Sequence, residues 1–347
     1  MKNLKLLKDV CEIAGAPGFE QRIRNLVIEE VKPLVDEVLL DNMGNVTTVI
    51  KGKDSSKKIM VTAHMDEIGF IVTHIDDNGF VRFHTLGGFD PKTLTAQRVI
   101  VHGKKDLIGV MGSKPIHVMT AAERNKVPQT TDYFIDMGMP KKDVEKYIEV
   151  GNPITREREL IEMGDCVNCK SIDNRVSVFI LIEALKKIKN PPYDVYGVFT
   201  VQEEVGIRGA QVATQAIQPD FGINLDTTIA FDVPGAAAHE KVTELGKGTA
   251  IKIMDSRTIC DYRMVAFLKE TADKNKIKWQ NEVLTAGGTD TSALQQMTAG
   301  GSIAGAISIP TRHIHQVIEM AHKKDIDNSI KLLVKSIEAI DKYNWNF

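Results

Sequence analysis

The apolar positions at the start of the chain recur with a helical period and then give way to strand-like alternation. Leu4, Leu7, Cys11 and Ala14 lie three or four residues apart, which predicts an amphipathic first helix that the Asn3 side chain would cap. The sequence Ala-Pro-Gly breaks this helix, and a second apolar stripe of the same period follows. The segments EVLLD and VTTVIKG, which a turn rich in Asn and Gly separates, then predict two strands.

The middle of the chain differs in texture from its two ends. Short strand-like runs alternate with glycine-rich turns from about Gly69 to Glu162, and one helix is predicted within KKDVEKYIE. On either side of this region, strand-like and helical segments alternate, which is typical of an α/β domain. We therefore predict a discontinuous α/β domain formed by residues 1–68 and 163–347. Residues 69–162 would form an inserted β domain.

Composition and charge narrow the functional classes. At 347 residues, with 43% hydrophobic and 26% charged residues, the chain has an ordinary globular composition and the length of about two domains. The net charge of -2 arises from interspersed acidic and basic residues, so no basic surface for nucleic acid or for an anionic membrane is expected. No apolar run approaches the ~18 residues of a membrane span. Peptides or small molecules are the expected partners.

The cysteines indicate a reducing environment. Cys11, Cys166, Cys169 and Cys260 are too few in a chain of this length to form a disulfide framework, so we expect a cytoplasmic protein. Cys166 and Cys169 have the spacing of half a zinc ribbon or of a redox pair. Because no second pair follows, two structural cysteines are the favoured interpretation.

The first candidate for chemistry lies where a predicted buried strand ends, in the segment KIMVTAHMDEIGF. In an extended chain His64 and Asp66 point to the same side, so the carboxylate could orient a metal-bound imidazole. The alternative is a strand end whose polar residues face water.

Three further acids come at similar places. Asp173 opens an apolar helix, where it could be the N-cap, or its two oxygens could bridge two cations ~3.5 to 4 Å apart. Glu203 and Glu204 end another buried strand, where one glutamate could ligate a metal while its neighbour acts as general base. A solvated acid pair or a helix cap is the alternative.

The last candidates follow two more apolar strands. Asp226 closes the first strand, and His313 and His315 follow the second, SIAGAISIP. The two histidines alternate like strand residues, so both cannot be assumed to ligate a metal. Taken together, the candidates offer two imidazoles and three or four carboxylates, which suit zinc, cobalt or manganese better than a thiolate site or calcium.

These segments also carry a family resemblance. AHMDEIGF, KSIDNR, QEEVGIRGA, NLDTT, GGTDTSALQ and RHIHQVIE, in this order and spacing, resemble the tetrahedral aminopeptidase family, which includes glutamyl and deblocking aminopeptidases. The similarity covers nearly the whole chain. It implies a metalloaminopeptidase that removes N-terminal residues from short peptides. It also implies a three-layer α/β/α catalytic domain with a central mixed sheet, and a small β-barrel-like (PDZ-like) insert that controls substrate access or oligomerisation.

The resemblance implies a ligand set of two divalent metal ions per subunit, zinc or cobalt and in some cases manganese. His64 and Asp226 would bind one ion, Glu204 and His315 the other, and Asp173 would bridge them. The family's members often assemble into dodecamers, so a homo-oligomer is expected.

The resemblance also implies the catalytic residues. Glu203 would be the general base toward a water activated between the two metals, and Asp66 would support the site beside His64. Asp290, within the GGTD segment, is a candidate for contacts with the substrate.

The sequence alone leaves two rival functions and one hypothesis about substrate specificity. A glycoside hydrolase of the endoglucanase type needs two carboxylates and no pair of imidazole ligands, so the histidines argue against it. A non-catalytic, metal-braced peptide- or sugar-binding protein would have no use for a base at Glu203. Arg257 and Arg312 could form a basic pocket for an acidic N-terminal side chain, although solvated arginines are the commoner case.

Overall fold

The computed structural model describes residues 3–347, which form a large sheet flanked by helices and a small barrel. The strands of the large sheet are β1 (Glu37–Leu40), β2 (Val46–Ile50), β3 (Asp54–His64), β10 (Ile161–Met163), β11 (Cys166–Cys169), β12 (Tyr193–Thr200), β13 (Phe221–Ile229), β14 (Thr249–Met254), β15 (Trp279–Val283), β16 (Ile303–Arg312) and β17 (Glu319–His322). The strands of the barrel are β4 (Gly69–Ile75), β5 (Val81–Leu86), β6 (Arg98–His102), β7 (Asp106–Gly112), β8 (Phe134–Asp136) and β9 (Pro153–Arg156). The helices are α1 (Leu4–Glu12), α2 (Gln21–Val31), α3 (Ala121–Arg124), α4 (Lys141–Val144), α5 (Ile172–Leu185), α6 (Arg208–Ile217), α7 (Tyr262–Lys274), α8 (Thr291–Gln296) and α9 (Lys323–Ala339).

The large sheet is mixed. Its strands follow the order β1, β2, β12, β3, β13, β16, β17, β11, β10, and β14 and β15 extend it beside β16. The central neighbours β12, β3, β13 and β16 run parallel. The strands from β1 to β12 and from β16 to β10 pair antiparallel, as do β14 and β16, whereas β15 runs parallel to β14. Parallel central strands bring their carboxyl ends to one edge of the sheet, where open α/β sheets place their sites.

Apolar residues alternate across the two faces of the central strands. On β3, Ile59, Val61 and Ala63 belong to the main core, which α1, α5, α7 and α9 cover. Met60, on the other face, packs in a smaller cluster with side chains from α6 and α8. Helices therefore cover both faces, and the prediction of a three-layer α/β/α domain with a mixed sheet is confirmed.

The insert is a closed antiparallel barrel in the order β4, β5, β8, β7, β6, β9. Its core is apolar and includes Phe70, Val99, Ile135 and Ile154. The barrel strands lie between residues 69 and 156, and β10 pairs with β11 in the large sheet.

One local prediction is wrong, and one predicted helix is shorter than its sequence segment. Asn3 adopts a left-handed conformation with φ 64° and does not cap α1. Its Nδ2 instead donates to Glu183 Oε1 of α5 at 3.0 Å, a distant partner that local sequence does not reveal. The helix predicted near KKDVEKYIE is present but short, Lys141–Val144, and both Val144 and Ile148 enter the barrel core.

The strand that carries Asp226 is longer than predicted. β13 continues to Ile229, so Asp226 lies inside the strand and not at its end. Neither α8 nor β17 was predicted. No helix within residues 3–347 is long and apolar enough to cross a membrane.

Candidate metal centre

The register of the parallel strands brings three candidate segments together. Thr200 of β12 pairs with His64, so Glu203 follows a few residues beyond the level of His64. On the other side of β3, the last paired residue of β13 is Asn224, which lies beside Thr62. β13 therefore loses its β3 neighbour just before Asp226, and the space that opens there contains the His64 ring.

The His64 ring is buried and turns its Nε2 atom towards two acids. Nε2 lies 3.4 Å from Asp173 Oδ1 and 3.6 Å from Asp226 Oδ1. The opposite nitrogen, Nδ1, lies 3.1 Å from the backbone carbonyl oxygen of Asp66. An Nδ1 proton donated to this carbonyl leaves Nε2 with a free lone pair that can bind a metal.

The Asp66 carboxylate has a task that the sequence did not indicate. Its Oδ1 accepts the backbone N–H of Glu203 at 3.1 Å, and its Oδ2 accepts that of Glu204 at 3.0 Å. Oδ1 also lies 3.5 Å from His64 Nδ1. Orienting the imidazole, as predicted, is therefore only part of what this carboxylate does, because its two oxygens mainly hold the backbone of the glutamate pair.

Asp173 is not the N-cap of α5, so that alternative is wrong. The N-cap position is Ser171, and Asp173 and Asn174 have non-helical backbone angles at the start of the helix. The peptide bond between these two residues is cis. Asp173 faces both histidines: its Oδ1 is the atom near His64, and its Oδ2 lies 3.6 Å from His315 Nε2.

His315 belongs to the loop between β16 and β17, where its φ of 65° is left-handed. Its Nε2 also lies 3.4 Å from Glu204 Oε2. His313 lines the same cavity but is not in either group of possible ligands within residues 3–347. His313 has a similar left-handed φ of 60°, so it is the position of the imidazole relative to the acids, and not the backbone conformation, that distinguishes the two histidines.

Known proteins of similar sequence decide the family. A profile of the M42 glutamyl aminopeptidase family matches residues 44–332. A putative aminopeptidase of Acetivibrio thermocellus is 41% identical over 333 residues, which covers 96% of this chain and 97% of that protein. The chain belongs to the M42 glutamyl aminopeptidase family. The resemblance read from the motifs is confirmed, and the protein is an aminopeptidase, a hydrolase that acts on peptide bonds.

Solved structures of this family agree with the fold. An aminopeptidase from the archaeon Desulfurococcus kamchatkensis superposes with a TM-score of 0.92 at 40% identity, over 96% of this chain and 94% of that chain. The Pyrococcus horikoshii TET1 peptidase, which can assemble into a tetrahedron or a large octahedral shell, has a TM-score of 0.86 at 30% identity, over 96% and 98% of the two chains.

Within residues 3–347 the M42 chain offers two groups of possible metal ligands that share one residue. His64, Asp173 and Asp226 form one group, and Asp173, Glu204 and His315 form the other, with the ligand atoms of each group within 4.8 Å of one another. Asp173 Oδ1 and Glu204 Oε1 are buried and have no hydrogen-bond partner within residues 3–347. Buried carboxylate oxygens without a partner are costly unless a cation or a proton satisfies them. Imidazole nitrogens with carboxylate oxygens are a donor set that fits a divalent transition metal.

The electrostatics of this cluster also favour a cation. Burial raises the pKa of Glu203 well above its ordinary value, and neighbouring carboxylates add to the rise although His64 opposes it. Burial likewise raises the pKa of Glu204 well above its ordinary value, with a further contribution from Asp173. Burial alone would lower the pKa of His64, but the acids around it, first among them Asp226, raise it well above the ordinary value. The cluster therefore holds more negative charge than its histidines balance.

A cavity of about 970 Å³ opens on the ligand groups. Arg257 lines it, and no hydrogen bond or ion pair engages its guanidinium within the described residues. Arg312 forms a bidentate ion pair with Asp232 at 2.6 and 2.8 Å, so its charge is already balanced. Asp290 is fully buried, and its Oδ2 accepts the Thr200 hydroxyl at 2.6 Å. Of the two arginines, only Arg257 remains a candidate for substrate contacts.

The cysteines have no part in this centre. All four are free, and none belongs to a ligand group within residues 3–347. Cys166 and Cys169 lie on β11, where Cys169 is buried in the main core and its thiol points to the Cys11 carbonyl oxygen at 3.9 Å. These positions support the structural interpretation of the pair.

Proposed function

We propose that this aminopeptidase works with two divalent metal ions, zinc or cobalt and in some cases manganese, and uses Glu203 as its general base. The single observation that carries the proposal is the position of Asp173, whose two carboxylate oxygens each face a different histidine at 3.4 and 3.6 Å. A carboxylate between two groups of ligands is what a two-metal hydrolase requires.

Each ion would be bound by one of the two groups of side chains described above. His64 and Asp226 would bind one ion, Glu204 and His315 the other, and Asp173 both. When bound, such ions polarise a carbonyl group and lower the pKa of water. The chain itself places three of these ligands on β3, β13 and the start of α5, and the other two in the segments that follow β12 and β16.

Glu203 is suited to proton transfer. It belongs to neither ligand group, lines the cavity, and places its Oε2 3.9 Å from His64 Nε2. Its backbone is fixed by the Asp66 carboxylate, so its side chain starts from a defined position. We propose that Glu203 takes a proton from the attacking water and delivers it to the amine that leaves the cleaved peptide bond.

The substrates would be short peptides, which a cavity of about 970 Å³ can admit at one end. We propose that the chain forms a homo-oligomer, a tetrahedral dodecamer, by analogy with the tetrahedral and dodecameric assemblies of the TET1 peptidase. The four free cysteines support a reducing, cytoplasmic environment.

The test is hydrolysis of aminoacyl p-nitroanilides (Leu, Glu, Asp, Lys and Ala) by metal-stripped protein, before and after zinc or cobalt is added. Glu203→Gln should bind metal like the wild type but lose about 100- to 10,000-fold in kcat, because proton transfer contributes that much. Glu29→Gln, an exposed glutamate of α2, is the matched control and should behave as the wild type. Release that does not depend on metal would overturn the metal proposal, and a Glu203→Gln kcat within a few-fold of the wild type would overturn the base.

A further inference from the structure

Glu319 is a fully buried acid next to the candidate metal centre that neither ligand group includes. It is the first residue of β17, in the segment HQVIEMAH, where its apolar neighbours give no sign of a polar task. Burying a carboxylate is costly unless its oxygens are satisfied.

Both Glu319 oxygens are occupied by backbone groups of candidate ligands. Oε2 accepts the N–H of Asp173 at 2.8 Å, and Oε1 accepts the N–H of His315 at 2.8 Å. The carboxylate thus spans two ligands that are far apart in sequence, one at the start of α5 and one in the β16–β17 loop. With both oxygens turned to the backbone, Glu319 does not itself face the metal positions.

The two ligands need this support because regular hydrogen bonding does not hold their backbone. Asp173 has φ -76° and ψ 108°, outside the helical region although α5 surrounds it. His315 lies in a loop with a left-handed φ of 65°. In both places the N–H group has no helix or sheet partner, and the Glu319 carboxylate supplies the acceptor.

Glu319 itself is held firmly by the large sheet. Its backbone lies on β17, opposite Cys169 of β11, and its carbonyl oxygen accepts a hydrogen bond from Asn168 Nδ2 at 3.0 Å. The neighbouring Met320 pairs with Arg312 of β16. A side chain anchored in this way can fix the position of what it binds, as partners of metal ligands do.

We propose that Glu319 is a positioning residue that sets the separation between Asp173 and His315, and thereby the metal affinity of the site these two ligands share. The inference rests on the proposed two-metal function. Because Glu319 holds two ligands of the His315 site but only one of the His64 site, its loss should weaken the His315 site more.

The test is a titration of metal-stripped protein with Co²⁺, followed by visible absorption, together with equilibrium dialysis against Zn²⁺. Glu319→Gln keeps the size of the side chain but turns an NH₂ group towards one of the two N–H groups. We expect the affinity of the His315 site to fall about 10- to 100-fold, more than that of the His64 site, with a changed Co²⁺ spectrum. Glu319→Asp keeps both acceptors on a shorter side chain and should lose affinity at the same site, so it serves if the Gln variant does not fold.

The matched control is Asp325→Asn. Asp325 is also fully buried, and its two oxygens also accept two backbone N–H groups, those of Gly246 at 2.6 Å and Gly248 at 2.9 Å, but no candidate ligand is among them. It should lower the melting temperature and leave both metal constants unchanged. Unchanged constants in both Glu319 variants would overturn this inference alone. A wild-type protein that binds neither Zn²⁺ nor Co²⁺ would overturn the proposed function and the inference together.

Discussion

The large α/β domain and the barrel bury different kinds of side chain. Within residues 69–156, the buried polar side chains are those of Thr155 and Arg156, at the end of β9 where the chain returns to the large domain. The large domain buries many charged side chains, among them Glu67, Lys170, Asp173, Arg175, Asp226, Lys252, Asp255, Glu282, Asp290, Glu319 and Asp325. Since the barrel core is apolar, buried charge is not general in this protein, and its presence in the large domain calls for an explanation.

The position of the buried charge explains why the large domain contains it. The candidate ligands lie at the carboxyl edge of the parallel strands, and a second buried group lies beneath them. In that group Lys170 Nζ pairs with Glu67 Oε2, and Arg175 Nη2 lies 3.4 Å from Glu67 Oε1. Arg175 also donates through Nε to the Met65 carbonyl oxygen at 2.6 Å, next to His64. Buried charge therefore concentrates where a site must be held in place, and the barrel contributes only Gly88 to the cavity walls within the described residues.

The largest effect expected from this difference is on stability. Glu67→Gln should lower the free energy of unfolding by about 3 to 5 kcal/mol, because it leaves Lys170 and Arg175 buried without their carboxylate. Urea unfolding measured by circular dichroism gives this value.

The matched change in the barrel is Asp77→Asn. Asp77 is almost fully exposed and lies 2.9 Å from Lys141 Nζ, so its removal should produce no resolvable change in unfolding. If both variants unfold like the wild type, the buried ion group of the large domain does not stabilise the fold as argued here.

A smaller effect is expected on substrate choice. Arg257 lies in the cavity wall of the large domain, close against Gly288, where an added Cβ would come within 2.4 Å of Arg257 Cδ. Arg257→Gln should lower kcat/KM for Glu and Asp p-nitroanilides about 3- to 10-fold and leave Leu p-nitroanilide unchanged, because an exposed charge is worth ~1 kcal/mol. The loss should shrink as salt is added, since salt screens exposed charges. An equal loss with all three substrates would assign Arg257 a structural role.

The sequence was enough to locate the ends of β3 and β12. A buried strand that runs into polar residues is visible in the chain itself, which is why His64 and the Glu203–Glu204 pair could be singled out. Asp226 was singled out for the wrong reason: it lies inside β13 and reaches the site because β3 ends beside it. Where a neighbouring strand stops is a property of the sheet and not of one segment.

Other features depend on contacts between distant segments. Asp173 follows a helical pattern in the sequence, and its non-helical backbone becomes evident only with its partner, Glu319. Glu319 stood within a recognised motif, but nothing local distinguishes an acid that binds two distant N–H groups from one on the surface. The role of the Asp66 carboxylate could not be predicted for the same reason, because its hydrogen bonds to the Glu203 and Glu204 backbone require β3 and β12 to be neighbours.

The smallest effect expected concerns the contact between the two regions. Arg22 of α2 forms a bidentate ion pair with Asp106 of the barrel at 2.5 and 2.7 Å, and this hydrogen bonding lowers the pKa of Asp106 to about 2. A carboxyl group whose pKa is lowered on folding stabilises the protein above its unfolded pKa, near 4, and loses this contribution as the pH falls towards 2.

Both side chains are substantially exposed, at 50% and 39%, so Arg22→Gln should cost at most about 1 kcal/mol at pH 7. The difference from the wild type, measured by urea unfolding at pH 7, 5 and 3, should diminish at pH 3. A difference that stays constant with pH would mean that Arg22 stabilises the contact by packing and not through the Asp106 charge.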